Sequence, residues 1–139
     1  MRVKLFTDGS SDFKKGLIGA GAVVLDNDNN ILSKVSKSVD RPDLKKYNNV
    51  AGEIIACCYG IEECIKLGAT HVTVYVDFIN LIKWYDGSFR TNTKLSQLYV
   101  QLLRQYRTKI DFDFVKVKGH SNNEYNDMAD ELAKKSIGK

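Results

Sequence analysis

The chain has 139 residues, of which 27% are charged and 43% hydrophobic, and a formal net charge of +4. That length suits one domain (residues 1–139) with a real core, and the composition excludes a disordered or fibrous chain. No run approaches the ~18 apolar residues of a membrane span and the N-terminus lacks an apolar signal region, so a cytoplasmic protein without membrane contact is expected. The mild positive charge permits a polyanionic partner without requiring one. Cys57, Cys58 and Cys64 share one predicted helix without a C-x-x-C pair, which reads as reduced, core or half-buried thiols.

Residues 3–8 (VKLFTD) are rich in β-formers and end at Asp8-Gly9, a turn signal. Residues 19–26 make a second strand, the run from Asp26 to Asn30 a turn, and residues 31–39 a half-exposed alternating strand. Three short strands in succession predict an antiparallel meander, which Arg41-Pro42-Asp43 breaks. Residues 50–67 predict a helix with Ile54, Cys57, Cys58, Ile61 and Ile65 on one face, Asn49 as N-cap and Gly68 as stop.

Residues 71–77 (HVTVYVD) predict a central parallel strand. A short helix over 79–85 follows, then a longer one over 93–107 with Leu95, Leu98, Tyr99, Leu102, Leu103 and Tyr106 on its apolar face. Residues 112–118 alternate strictly as a fifth strand. The last helix is expected to start near Ser121, where S-N-N-E spells a capping box, with Met128, Ala129, Leu132 and Ala133 inward. The order is βββαβααβα: an α/β fold with a five-stranded mixed sheet and helices on both faces. The crossover through the first helix joins the meander to the 71–77 strand in a right-handed, parallel sense, and if the strands ending in Asp8 and Asp77 are neighbours their carboxylates can reach one cation.

Four carboxylates stand at meaningful places in that order. Asp8 and Asp77 end strands, Glu53 lies in the first turn of the crossover helix, and Asp130 sits on the last helix. Ligands bind at the carboxyl ends of strands where strand order switches. A carboxylate cluster there repels itself unless a hard cation neutralises it, and oxygen-only ligands suit Mg²⁺ or Mn²⁺. Paired ions of this kind drive in-line cleavage of phosphodiesters, with Asp8, on the central strand, as the best candidate for the ligand common to both. Taken singly, each acid has another reading: Asp8 as a turn residue, Glu53 as a helix-dipole partner, Asp77 as a cap, Asp130 as a solvated helix residue.

TDGS after the first strand, Asn49 four residues before Glu53, Asp77 ending the fourth strand, and VKGHS followed by N-x-x-x-D together resemble the type 1 ribonuclease H family. DFINLIKW is similar to a stretch in its bacterial-type single-domain members. The likeness runs from Lys4 to Lys135. It implies a ribonuclease H-like fold and an endonuclease that hydrolyses the RNA strand of an RNA–DNA hybrid with two Mg²⁺ ions, Mn²⁺ being the alternative. It also implies Asp8, Glu53, Asp77 and Asp130 as metal ligands and His120 as a loop histidine that moves a proton. Asn126 is placed to brace that loop.

Substrate contacts are expected from Gly9, Ser10 and Asn49. Trp84 is either partly core or a platform for a base. The family commonly has a polar residue where Val50 stands, and often Ser then Gln where Phe78 and Ile79 stand. The basic protrusion that some members carry after Trp84 is missing. A non-catalytic hybrid- or dsRNA-binding module and a nuclease of another duplex class are therefore kept as alternatives. A monomer is expected; the start at Met1 suggests a free-standing protein, although a domain excised from a reverse transcriptase polyprotein would look similar.

Overall fold

The computed structural model describes residues 1–47, 49–118 and 123–139. Three antiparallel strands come first: β1 (Arg2–Asp12), β2 (Leu17–Leu25) and β3 (Ile31–Asp40). A 3-10 helix, Pro42–Tyr47, leads into α1 (Asn49–Lys66). Then come β4 (His71–Val76), α2 (Ile79–Asp86), α3 (Lys94–Arg107), β5 (Asp111–Lys116) and α4 (Glu124–Ser136). The sheet order is β3-β2-β1-β4-β5, with β1 parallel to β4 and β4 parallel to β5. This is the predicted mixed sheet, with β1 at its centre.

Alternation along the strands sorts the side chains into two layers. Val3 and Leu5 of β1, Ala22 and Val24 of β2, and Val72, Val74 and Val76 of β4 join α1, α2 and α3 in the larger core. Each such fully buried valine or leucine contributes about 1.5–3 kcal/mol. Phe6, Val23 and Leu25 point the other way and meet Ala129 of α4, with Tyr75 stacked on Phe6 at 4.5 Å between ring centroids.

Glycines set how closely two helices approach the sheet. A methyl group at Gly9 would sit inside the backbone of Gly52 and Glu53, so β1 and α1 touch main chain to main chain. On the opposite face, methyl groups at Gly19 and Gly21 would overlap the carbonyls of Ala133 and Ala129, so α4 lies directly on β2.

Several expectations are corrected. β1 does not turn at Asp8-Gly9 but continues to Asp12, because its antiparallel pairing with β2 runs on through Asp8–Gly21 to Asp12–Leu17. Only the parallel pairing with β4 ends before Asp8, at Phe6–Tyr75. Asn49 is the first residue of α1 rather than its cap, and its side chain accepts a hydrogen bond from Ser11 Oγ at 2.7 Å. Asn123, not Ser121, caps α4, its Oδ1 accepting from the Tyr125 and Asn126 amides. Ser121 lies outside the described residues. Leu98, assigned to the apolar face of α3, is 48% exposed. Gly68 does terminate α1, with φ +80, and the three cysteines are buried and free.

Gly21→Ala tests the seating of α4. Overpacking of this kind destabilises by about 1–3 kcal/mol, occasionally more, so a loss of roughly 3 kcal/mol is expected in urea denaturation. A loss below about 0.5 kcal/mol, the level of an inconsequential surface change, would show that α4 does not rest on Gly21.

Candidate metal centre

Asp8 is carried on the central strand two residues past the last parallel pair with β4, and is 7% exposed. Asp77 follows immediately after β4. Glu53 is delivered by the Gly9–Gly52 contact, which brings the first turn of α1 onto β1. Carboxylate oxygens of Asp8, Glu53 and Asp77 lie within 4.8 Å of one another.

The Gly9 amide points into this cluster, donating to Asp8 Oδ1 at 2.9 Å and, at a longer 3.4 Å, to Glu53 Oε1. One backbone N–H cannot balance both Asp8 and Glu53. Burial first, then the charges of Asp77 and Asp130, push Asp8 up to about 7 against the opposing hydrogen bonds of Glu53 and the Gly9 amide. Burial, the hydrogen bond with Asp8 and the charges of Asp8 and Asp77 push Glu53 up to about 10. These upward shifts favour a proton held by the pair at neutral pH, which a bound cation would have to displace.

Asp130 stands at the rim. Its charge raises Asp8, so it is electrostatically part of the site. Its carboxylate is outside the tight group and is engaged by Lys134 Nζ at 2.9 Å, an exposed pair one turn apart on α4. The close seating of α4 on Gly21, the residue paired with Asp8, accounts for its nearness.

The donor set fits a divalent metal ion. All three converging groups are oxygen donors, as hard cations require. Glu53 Oε2 is buried with no hydrogen-bond partner among the described residues, a vacancy that a ligated cation would satisfy.

The other expected residues are distributed around this cluster. Asn49, Val50, Glu53, Asp77 and Phe78 line a depression of about 240 Å³ opening beside the carboxylates. Ser10 is buried, its Oγ 3.4 Å from Lys139 Nζ, which also donates to the Ser11 carbonyl at 2.6 Å. Trp84 is half-buried, edge-on to Phe78 and Tyr99 at 5.9 and 6.3 Å, and also lines a cleft with Asn80, Phe89 and Arg90. It serves the core and a surface at once. His120 lies outside the described residues. Asn126 is buried, and its Oδ1 has no partner among the described residues.

Two participants escaped sequence reasoning. Lys134 holds Asp130, and its i+4 spacing was a readable signal. Gly52 admits Glu53 to the site, and nothing local distinguishes it from any helical glycine.

A match to the RNase H family spans residues 1–138. Ribonuclease H of Chlorobium chlorochromatii is 28% identical over 99% of this chain and 97% of its own length. The bifunctional protein Rv2228c of Mycobacterium tuberculosis is 32% identical over 83% of this chain, which spans only 31% of that longer protein. Among solved structures, RNase H1 of the halophilic archaeon Halobacterium salinarum superposes with a TM-score of 0.85 at 22% identity, over 99% of this chain and 98% of that one. LC11-RNase H1 in complex with an RNA/DNA hybrid does so with a TM-score of 0.78 at 17% identity, over 97% and 99%. The fold is that of the ribonuclease H-like class of α/β proteins. The chain belongs to the RNase H family, and with it to the ribonuclease H enzymes.

The raised carboxyls carry a pH signature. An acid whose folded pKa lies above its unfolded value favours the folded state when protonated. Its contribution is full below the unfolded value near 4 and is lost as pH rises through the folded one, here about 7 for Asp8. Metal-free protein should therefore lose stability between about pH 4 and 7 from this group. Asp8→Asn should stabilise the metal-free protein at pH 8 by roughly 1–3 kcal/mol and have little effect at pH 4. Thermal melts across that range with chelator present check this; an Asn variant less stable than its parent at pH 8 would contradict the shared-proton reading.

Proposed function

We propose that the protein is a metal-dependent endoribonuclease that hydrolyses the RNA strand of RNA–DNA hybrids, with two Mg²⁺ ions, or Mn²⁺, held by Asp8, Glu53, Asp77 and Asp130. The observation that carries this reading is the convergence of three carboxylates within 4.8 Å around a buried Glu53 oxygen that has no hydrogen-bond partner among the described residues. The hybrid bound to the neighbouring LC11-RNase H1 supports the substrate class.

Bound ions supply an activated water and charge stabilisation for the leaving oxygen. The chain's own residues prepare for this. Asp8 and Glu53 give up their proton to free ligand oxygens. Lys134 covers Asp130 until that carboxylate is needed. The Gly9 amide keeps Asp8 and Glu53 oriented from inside, so it serves the ligands before any substrate.

Asn49 presents its amide at the rim of the depression beside Glu53, oriented by Ser11. A protein that cuts RNA must sense the 2′-hydroxyl across a wide, shallow minor groove, and Asn49 is the polar group placed to do so. Val50 and Phe78 make the rest of that rim apolar, so groove contact here relies on shape more than on hydrogen bonds. His120 has the titration range to deliver a proton to the leaving group and assist product release.

The deciding experiment presents one labelled strand as hybrid, RNA duplex, DNA duplex or single strand, with Mg²⁺ and with chelator. Cleavage of the RNA strand of the hybrid alone, abolished by chelator and by Asp8→Asn, is expected. Hydrolysis by Asp8→Asn within a few-fold of wild type, or a preference for another duplex, would refute the assignment.

Two substitutions divide binding from chemistry. Asn49→Ala should weaken hybrid binding by roughly 1 kcal/mol, the worth of one hydrogen bond. His120→Ala should lower kcat by about 10- to 100-fold, at or below the range of a general acid–base group, while hybrid affinity and stabilisation by metal persist. An unchanged kcat would remove His120 from the mechanism.

A further inference from the structure

Past Phe6–Tyr75, where β1 parts from β4, the stretch from Thr7 to Asp12 is paired in the sheet with β2 alone. What else holds it is contact from the helices. Gly52 of α1 packs its main chain on Gly9 and Ser10. From the α4 side comes Lys139. Its Nζ donates to the Ser11 carbonyl at 2.6 Å and lies 3.4 Å from Ser10 Oγ. An ammonium–carbonyl bond of this length is charge-assisted and stronger than a neutral one.

The backbone beyond α4 delivers Lys139 to that place. Ile137 is buried, and Gly138 takes the left-handed conformation with φ +80. The amides of Gly138 and Lys139 donate to the carbonyls of Lys135 and Lys134 at 3.1 and 3.0 Å. This is a Schellman closure, and it fixes the direction in which the chain leaves the helix.

Ser11 passes the contact through the sheet. Successive side chains of a strand face opposite sides. Gly9 and Ser11 therefore face α1, and Ser10 faces the side from which Lys139 arrives. On the α1 side Ser11 Oγ donates to Asn49 Oδ1 at 2.7 Å. With its oxygen engaged, the Asn49 amide offers its NH₂ as a donor to a ligand.

We propose that Lys139 is a positioning residue for recognition of the RNA strand: it clamps β1 at Ser11 and, through Ser11, fixes the Asn49 amide that meets a 2′-hydroxyl. This rests on the hybrid reading above and deepens it. Lys139 itself touches no substrate. It makes the orientation of a group on α1 depend on how α4 is closed.

The test measures hybrid binding in an Asp8→Asn background, which binds without cutting, and the Asn49 side-chain amide signals of the unbound protein by NMR. Lys139→Met should move those signals as Ser11→Ala does. Each of the two substitutions should weaken hybrid binding about fivefold, the loss of one hydrogen bond. In an Asn49→Ala background each should add less than about twofold, because residues acting through one contact are not additive. The salt dependence of binding should stay that of the parent. Unmoved Asn49 signals in Lys139→Met would overturn the proposal. So would a fivefold loss that persists in Asn49→Ala with the slope of log K against log salt reduced by about 1, since Lys139 would then meet a phosphate directly. If the parent binds RNA duplex and not hybrid, with the same dependence on Lys139 and Ser11, the clamp stands and the hybrid assignment falls. A parent that binds no duplex overturns both.

Discussion

Everything at the carboxylate centre depends on main chain touching main chain. Gly9 and Gly52 let α1 rest on β1 with no side chain between them, and Gly19 and Gly21 do the same for α4 on β2. Without those contacts each helix would stand off the sheet by at least a methyl group, and Glu53 and Asp130 would retreat from Asp8. Close packing transmits such displacements because interiors have little spare volume.

The approach works against electrostatics. Bringing Asp8, Glu53 and Asp77 together removes them from water and sets like charges side by side, and burial is the larger effect on both Asp8 and Glu53. The fold tolerates this because the valines of β4, the leucines and valines of β1 and β2, and the buried face of α1 supply hydrophobic stabilisation well in excess of one strained acid pair. The metal-free centre is thus a destabilised element inside a well-packed frame. A bound cation would gain from that state, because it would relieve the repulsion and partner Glu53 Oε2, which has no hydrogen-bond partner among the described residues. Lys134 acts as a partial substitute at the rim, where solvent keeps its ion pair with Asp130 weak and exchangeable.

The molecule has two different kinds of surface here. The depression beside the carboxylates is small, with Asn49, Glu53 and Asp77 as its polar members, while the tip of the β1–β2 hairpin carries lysines and an exposed ring.

The sequence alone determined the order of elements, because strand and helix periodicities are local and the core residues of β4 and α1 obey them cleanly. It also marked the four acids and their attachment to those elements, and so the family. Where turn chemistry competed with pairing, local reading failed. Asp8-Gly9 looks like a turn, yet nine consecutive pairs with β2, from Lys4–Leu25 to Asp12–Leu17, override it. The cap of α4 moved to Asn123 for a similar reason: four polar residues in a row offer several caps, and packing of Ala129 and Ala133 on β2 selects the helix start. What only the tertiary structure decided is the state of the site: that the Gly9 amide faces the acids, that Asn49 is held by Ser11, that Asp130 is covered by Lys134, and that burial pushes the carboxyls of Asp8 and Glu53 up. Each depends on distance and desolvation between residues far apart in the chain, and those quantities exist only once the sheet and its helices have closed on one another.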